Sequence, residues 1–440
     1  MKAPQLVNAW FRKYREDVLL GRLFSVLGID ILVKISGIIL LPVYLHLMTQ
    51  EEYGLYSYLV SIVLTFSLVL NFGLYIPLSK FYHDYSEPGK RGKLIFTIFS
   101  LLFTILSLIV FIIYFFRLDF QIVNILFKNP VNYNNYREAI MLAIIVTVLN
   151  FMLTNYFFAS EKIHAIKKYN IARIIFINGI TLGFLYFFHA GDTVEARLKS
   201  TYIIEAALLI LFSFFVYREI RPAFDLKIAI ASLKLGAPVM LSAIFGIVIN
   251  FSDKFFLEKY GDFTDLSNYY LAASCAAVIP MIFTSLQNAW LPSFLKEKDI
   301  AKNFIRTKKM IGKLVFLFSF LSLAMVIFVQ ILLYTRIIPM KYQEIIYILP
   351  ILLVSQIIAA LVPLYTNYLI YFEKTYIVSL VGFFICIIIF TVSILLIPKF
   401  GVYGAGFVSV MSNLTYLIAY YFIIRSLSRR HLSATNNPRI

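Results

Sequence analysis

Residues 21–47 read GRLFSVLGIDILVKISGIILLPVYLHL, a long apolar run with an acid and a base near its middle. About 20 apolar residues are enough for a helix to cross a bilayer, so the run is predicted to be a membrane span. Asp30 and Lys34 stand four residues apart and project from one face of that helix. A lysine at mid-span costs ~2.5–3.5 kcal/mol on insertion scales, and such residues face a protein interior or a wet cavity. Two readings of the pair are open: it lines a path for a solute, or it is a self-neutralising ion pair that holds helices together.

The rest of the chain is of the same kind. Of 440 residues, 61% are hydrophobic and 14% charged, against about 25% charged in soluble proteins, and the mean hydropathy is +0.83. This is the composition of an integral membrane protein. Eleven further apolar runs follow, near 53–79, 94–116, 139–160, 170–188, 199–217, 233–257, 267–294, 311–334, 343–370, 376–397 and 402–424. They are continuously apolar, whereas a barrel would show alternating strands of about ten residues, so helices are expected. The fold class predicted is all-α: a polytopic membrane protein of 12 transmembrane helices.

Charge sets the orientation. Taking every second loop from the N-terminal segment onward collects 27 of the 40 Lys and Arg, and the opposite loops hold nine. Lys and Arg accumulate on the cytoplasmic side, so both termini are predicted cytoplasmic. The formal charge of +17 is then mostly topology, and no nucleic-acid partner is expected. The segment MKAPQLVNAWFRKYRED at 1–17 reads as a basic amphipathic stretch on the membrane face and lacks the pattern of a signal peptide.

Several chemistries are disfavoured. The two cysteines, Cys275 and Cys386, each sit in an apolar run, and the five histidines are scattered, so neither a disulfide framework nor a metal site is signalled. No phosphate-binding loop is present, since GKRGK at 89–93 lacks the first glycine at the required spacing. The longest loop, 117–138, is too short to hold an acceptor substrate. No catalytic residues, no cofactor and no enzyme activity are expected.

The second half echoes the first. Thr154, Asn155, Tyr156, Glu161 and Lys162 recur in register as Thr366, Asn367, Tyr368, Glu373 and Lys374, at an offset of 212, and GLYIPLSKFY pairs with NAWLPSFLKE at 215. Two six-helix lobes of the same orientation follow, related by an axis along the membrane normal. The expected divisions are a cytoplasmic amphipathic segment at 1–21, an N-lobe at 22–217, a linker at 218–232, a C-lobe at 233–424 and a basic tail at 425–440. Such lobes suit alternating access, with spans 1 and 7 as opposing walls, and this favours the path-lining reading of Asp30 and Lys34.

Span 7 again joins an acid to a base. Asn250, Asp253 and Lys254 lie within about a turn of each other near its outer end, where Lys254 either faces inward or snorkels to the headgroups. Arg173, one turn inside span 5, has the same two options. Glu205, deeper in span 6, is a candidate ion or proton site or a structural partner for another helix, and Asp253 shares that candidacy. Asn71, Asn155, Asn178, Asn367 and Gln287 are expected to bond between helices. The basic stretch LKEKDIAKNFIRTKKM at 295–310 is expected to be an in-plane helix at anionic lipid.

Two stretches carry a family resemblance: PVYLHLMTQEEYGLYSYLVSIVLTFSLVLNFGLYIPLSKFY at 42–82 and LKLGAPVMLSAIFGIVINFSDKFFLEKY at 233–260. The first, with E-E-Y-G-L-Y and a later F-G-L, resembles the opening hairpin of the Wzx-type O-antigen and capsule flippases. The second, with L-K-x-G-x-P and then Asp253 beside Lys254, resembles their seventh span. These flippases belong to the multidrug, oligosaccharidyl-lipid and polysaccharide (MOP) exporter superfamily, whose fold is MATE-like. The resemblance implies translocation of an undecaprenyl-pyrophosphate-linked oligosaccharide from the inner to the outer face of the cytoplasmic (inner) membrane, alongside a polysaccharide polymerase and glycosyltransferases. It implies a cationic cavity, to which Lys34, Lys254 and Arg173 would contribute; Asp30 departs from that picture. The alternative of the same fold is a cation-coupled multidrug exporter using Asp30, Asp253 or Glu205.

Overall fold

A computed structural model describes residues 36–85, 87–187, 192–297, 299–372, 374 and 376–435. Asp30 and Lys34 lie outside the described residues. Those residues form helices joined by short turns and loops, without a strand. In a bilayer every backbone polar group needs an internal partner, and helices satisfy this within each span. Ten stretches are long and apolar enough to cross a membrane. That figure differs from the predicted twelve at two places. Only Ser36–Leu47 of the first run is described, and the last two runs join in one stretch, Tyr376–Ser428.

In chain order the helices are α1 (Ser36–Leu47), α2 (Gln50–Leu70), α3 (Tyr75–Asp84), α4 (Pro88–Phe115), α5 (Leu118–Leu126), α6 (Tyr133–Ala159), α7 (Ile163–Ala172), α8 (Asn178–Phe187), α9 (Thr193–Tyr217) and α10 (Leu226–Tyr260). There follow α11 (Phe263–Ala276), α12 (Val278–Lys296), α13 (Ile300–Tyr334), α14 (Ile345–Tyr371) and α15 (Tyr376–Thr435). Three of the starts carry side-chain caps. Asp192 accepts from the N–H of Val194 and Glu195, Asp262 from that of Asp265, and Asp299 from that of Lys302.

Breaks fall where the backbone, not hydropathy, decides. Between α2 and α3 the chain turns at Phe72 and Gly73, both at positive φ, and the Asn71 side chain accepts from the Gly73 N–H at 2.8 Å. Asn71 therefore stabilises its own turn rather than a neighbouring helix. Asn155 likewise bonds one turn back, to the Phe151 carbonyl, whereas Gln287 and Asn367 bond each other between helices, at 2.8 Å. Gly401, at φ 53° and ψ −128°, divides α15 into the two predicted spans.

The expected in-plane helix at 295–310 is corrected. Residues from Ile300 onward are the first turns of α13, which runs unbroken for 35 residues. At 1.5 Å per residue such a helix spans about 50 Å, against a hydrocarbon core of about 30 Å, so its basic turns stand in continuation of the span. Within 218–232 the chain is non-helical to Asp225, and α10 begins at Leu226.

Packing gathers the chain into two compact units. The first contains Phe66–Leu118 and Tyr133–Met240, and the second contains Pro42–Thr65, Asp119–Asn132 and the chain from Leu241. In the first, α6 packs on α3, α7 and α9 around Val148, Met152, Tyr156 and Phe157. In the second, α14 is the central helix, packed on α11, α12, α13 and α15. The fully buried Glu258 of α10 draws the segment after α5 into this unit, accepting from the N–H groups of Lys128 and Asn129 at 2.8 and 2.9 Å. Large apolar side chains such as Phe111, Phe115, Phe316 and Phe320 remain exposed, as lipid-facing positions require.

Candidate functional site

The second unit encloses a polar cavity of about 190 Å³ among helices whose other faces are apolar. Its wall is built from α10 (Asn250, Asp253, Lys254), α11 (Tyr269), α14 (Gln356) and α15 (Ser409, Ser412, Asn413, Tyr416). Asn250, Asp253 and Lys254, singled out in the sequence, are together here.

Lys254 does not snorkel. Neighbouring residues on a helix normally diverge, yet the flexible lysine stem folds back, so that Nζ lies 3.0 and 3.2 Å from the two carboxylate oxygens of Asp253 and 2.6 Å from the Asn250 carbonyl. An ammonium has three donors, and these contacts use all of them. The carboxylate is equally occupied. Oδ1 accepts from the Lys254 N–H at 2.9 Å and from Nζ, and Oδ2 accepts from Nζ and from the Tyr269 hydroxyl. The pair is closed: four acceptor positions and three donors all have partners.

The other polar groups of the cavity are uncharged and partly idle. Ser409 shares a 2.7 Å hydrogen bond with Ser355, and the Asn413 amide donates to the Ser355 hydroxyl at 2.9 Å. These bonds orient Asn413 and leave its carbonyl oxygen without a partner among the described residues. Gln356, Ser412 and the Tyr416 hydroxyl also make no hydrogen bond there. The sequence reading missed these groups, although a signal existed. Ser409, Ser412, Asn413 and Tyr416 fall at i, i+3, i+4 and i+7 in the apolar run 402–424, which is one face of a helix.

Arg173 and Glu205 meet in the first unit. A π-helical turn at Arg173–Ile177, between α7 and α8, gives this span an irregular register at the arginine. The Arg173 guanidinium pairs with Glu205 Oε1, which also accepts from the Asn150 amide, and Tyr169 donates to Asn150. Glu205 is 5% exposed and Asn150 6%. Arg173 thus turns to a carboxylate on α9 instead of the headgroups, and its buried Nε has no hydrogen-bond partner.

Among the described residues no group of His, Cys, Asp and Glu is placed to hold a metal. Outside the spans, Glu219 accepts from Lys162 at 2.8 Å and from Tyr82 at 3.2 Å. Burial raises its carboxyl, but these hydrogen bonds, one from Tyr156 and the lysine charge outweigh burial and hold it below its ordinary value.

Comparison with known proteins follows this architecture. The structure is similar to the lipid II flippase MurJ in an inward closed conformation, with a TM-score of 0.65 at 14% identity over 90% of this chain and 87% of that one. It is similar to an inward-facing multidrug resistance MATE family transporter of the MOP superfamily, at 0.64 and 12% over 94% and 96%. A Vibrio cholerae MATE transporter, VcmN in the bent form, gives 0.56 and 12% over 93% and 96%. At such identities the likeness is one of fold, and it agrees with the ten stretches long and apolar enough to cross a membrane. No curated protein matches the chain in sequence. The model of a family described as polysaccharide biosynthesis protein matches residues 19–298, more than half of the chain, which therefore belongs to the polysaccharide biosynthesis protein family.

Proposed function

We propose that this protein is a flippase that moves an undecaprenyl-pyrophosphate-linked oligosaccharide from the inner to the outer face of the cytoplasmic membrane by alternating access. The observation that carries this reading is the cavity of the second unit, where amides and hydroxyls converge inside apolar helices of a polysaccharide biosynthesis family member. Side chains of that kind match the hydroxyls of a glycan. Lobes at 22–217 and 233–424 would rock about the substrate, with Lys34 meeting the pyrophosphate and both termini cytoplasmic, as the distribution of Lys and Arg favours. The product would pass to a polysaccharide polymerase, and the substrate would come from glycosyltransferases. A neighbour in fold is a lipid II flippase, which favours the same reading.

The rival is a cation-coupled multidrug exporter. It calls for a net acidic cavity with a carboxylate free to bind a cation, and Asp253 is neutralised and fully occupied by Lys254 and Tyr269.

The test uses purified full-length protein in vesicles of phosphatidylglycerol and phosphatidylethanolamine, with a fluorescent undecaprenyl-pyrophosphate oligosaccharide on one leaflet. Translocation by the wild type, lost in Lys34→Ala at equal protein content, is the expected result. Unchanged distribution of the lipid with wild-type protein would refute the function.

A further inference from the structure

The cavity of the second unit separates two kinds of polar group. Its charged residues are closed on each other, with every donor of the Lys254 ammonium and every acceptor position of the Asp253 carboxylate engaged. Its idle groups are all neutral: the Gln356 amide, the Ser412 and Tyr416 hydroxyls and the Asn413 side-chain carbonyl. A charged ligand entering here would first have to break a buried ion pair. An uncharged ligand bearing hydroxyls would find donors and acceptors without partners, which is where polar discrimination is strong.

Size narrows the class. A cavity of about 190 Å³ has room for several waters. Sites for drug-sized ligands run to about 300–1,000 Å³. The space is of the order of a single sugar ring.

We propose that this cavity is a subsite for one uncharged pyranose ring of the substrate glycan, read by Gln356, Ser412, Asn413 and Tyr416. The Asp253–Lys254 pair forms the back wall of the subsite and binds neither the pyrophosphate nor a coupling cation. Ser409 and Ser355 act one step behind, holding the Asn413 amide so that its carbonyl faces the ring. The periodic polar face of α15 is then a recognition strip that depends on α14 and α10 to close it. The inference rests on the flippase reading above and adds to it where one sugar sits and what charge that sugar has.

The experiment compares two probes in the vesicle assay: undecaprenyl pyrophosphate bearing a neutral hexose trisaccharide, and undecaprenyl pyrophosphate without sugar. Ser412→Phe fills the cavity, whereas Gln356→Leu and Tyr416→Phe remove hydrogen-bonding groups at nearly constant volume. The trisaccharide lipid is expected to move about tenfold more slowly in Ser412→Phe and several-fold more slowly in the other two, and the bare lipid at the wild-type rate in all three. Equal slowing of both probes in Gln356→Leu and Tyr416→Phe, or no slowing of the trisaccharide lipid in any variant, overturns the subsite while the flippase stands. A wild type that moves neither probe removes the flippase reading, and the subsite with it.

Discussion

Lys162 Nζ stands 2.8 Å from Glu219 Oε1, joining the turn after α6 to the turn after α9 within the first unit. Lys162 also donates to the Tyr156 hydroxyl at 2.7 Å and to the Phe215 carbonyl at 3.1 Å, so one ammonium ties together the ends of two spans.

The pair has a pH signature. The folded-state pKa of Glu219 lies below its unfolded value, so its contribution is complete above the ordinary carboxylate range near ~4.3 and is lost as pH falls through the folded value. Thermal unfolding of the detergent-solubilised protein should show a midpoint that drops on acidification from about pH 5 to pH 3. Glu219→Gln should lower the midpoint at pH 7 and flatten that acid limb; an unaltered limb would remove Glu219 as its source.

Gly73 and Gly236 touch through their backbones. A Cβ on Gly73 would lie 2.4 Å from the Gly236 carbonyl oxygen, and one on Gly236 would lie 2.4 Å from that of Phe72. Gly236→Ala should destabilise the first unit by about 1–3 kcal/mol, the usual cost of overpacking. Gly73→Ala should cost more, because φ there is +66°. Gly183→Ala is the control: it meets nothing within 4 Å and should be neutral or up to ~1 kcal/mol stabilising.

The closed pair of the cavity predicts a double-mutant pattern. Asp253→Asn leaves the Lys254 charge half-served, and stability should fall by on the order of 3–5 kcal/mol. Adding Lys254→Met should restore most of that loss. A double variant no more stable than Asp253→Asn would mean that the lysine does not depend on its neighbour.

Arg173 and Glu205 give a contrasting case. Glu205→Ala strands the guanidinium beside Asn150 and should cost a similar ~3–5 kcal/mol, whereas Arg173→Met with Glu205→Leu should recover the fold. Ionisable residues inside spans mark functional sites by default, so the double variant is expected to be stable and inactive in the vesicle assay. Full activity in that variant would reduce the pair to a strut.

Much of the architecture was legible in the chain. Apolar runs reveal spans because a bilayer core tolerates only helices whose backbone is internally bonded. The acids and bases of spans 5, 6 and 7 were conspicuous for the same reason. The break at Phe72 was not, since nothing in NFGLY departs from hydropathy; it is a matter of positive φ and an asparagine cap. Nor was the extent of α13 visible, because a basic stretch reads alike as an in-plane helix and as the protruding end of a span.

The sequence by itself determined that the chain crosses the membrane repeatedly, which residues pay the cost of charge inside it, and to which family its motifs are similar. The tertiary structure alone decided how those charges are spent. Lys254 and Asp253 are adjacent, yet only the packing of α11 brings Tyr269 to complete the pair. Gln356 and Ser412 are remote in the chain, and they share a cavity because α14 packs along α15. Periodicity reports one helix face at a time, and a site is made where several faces meet.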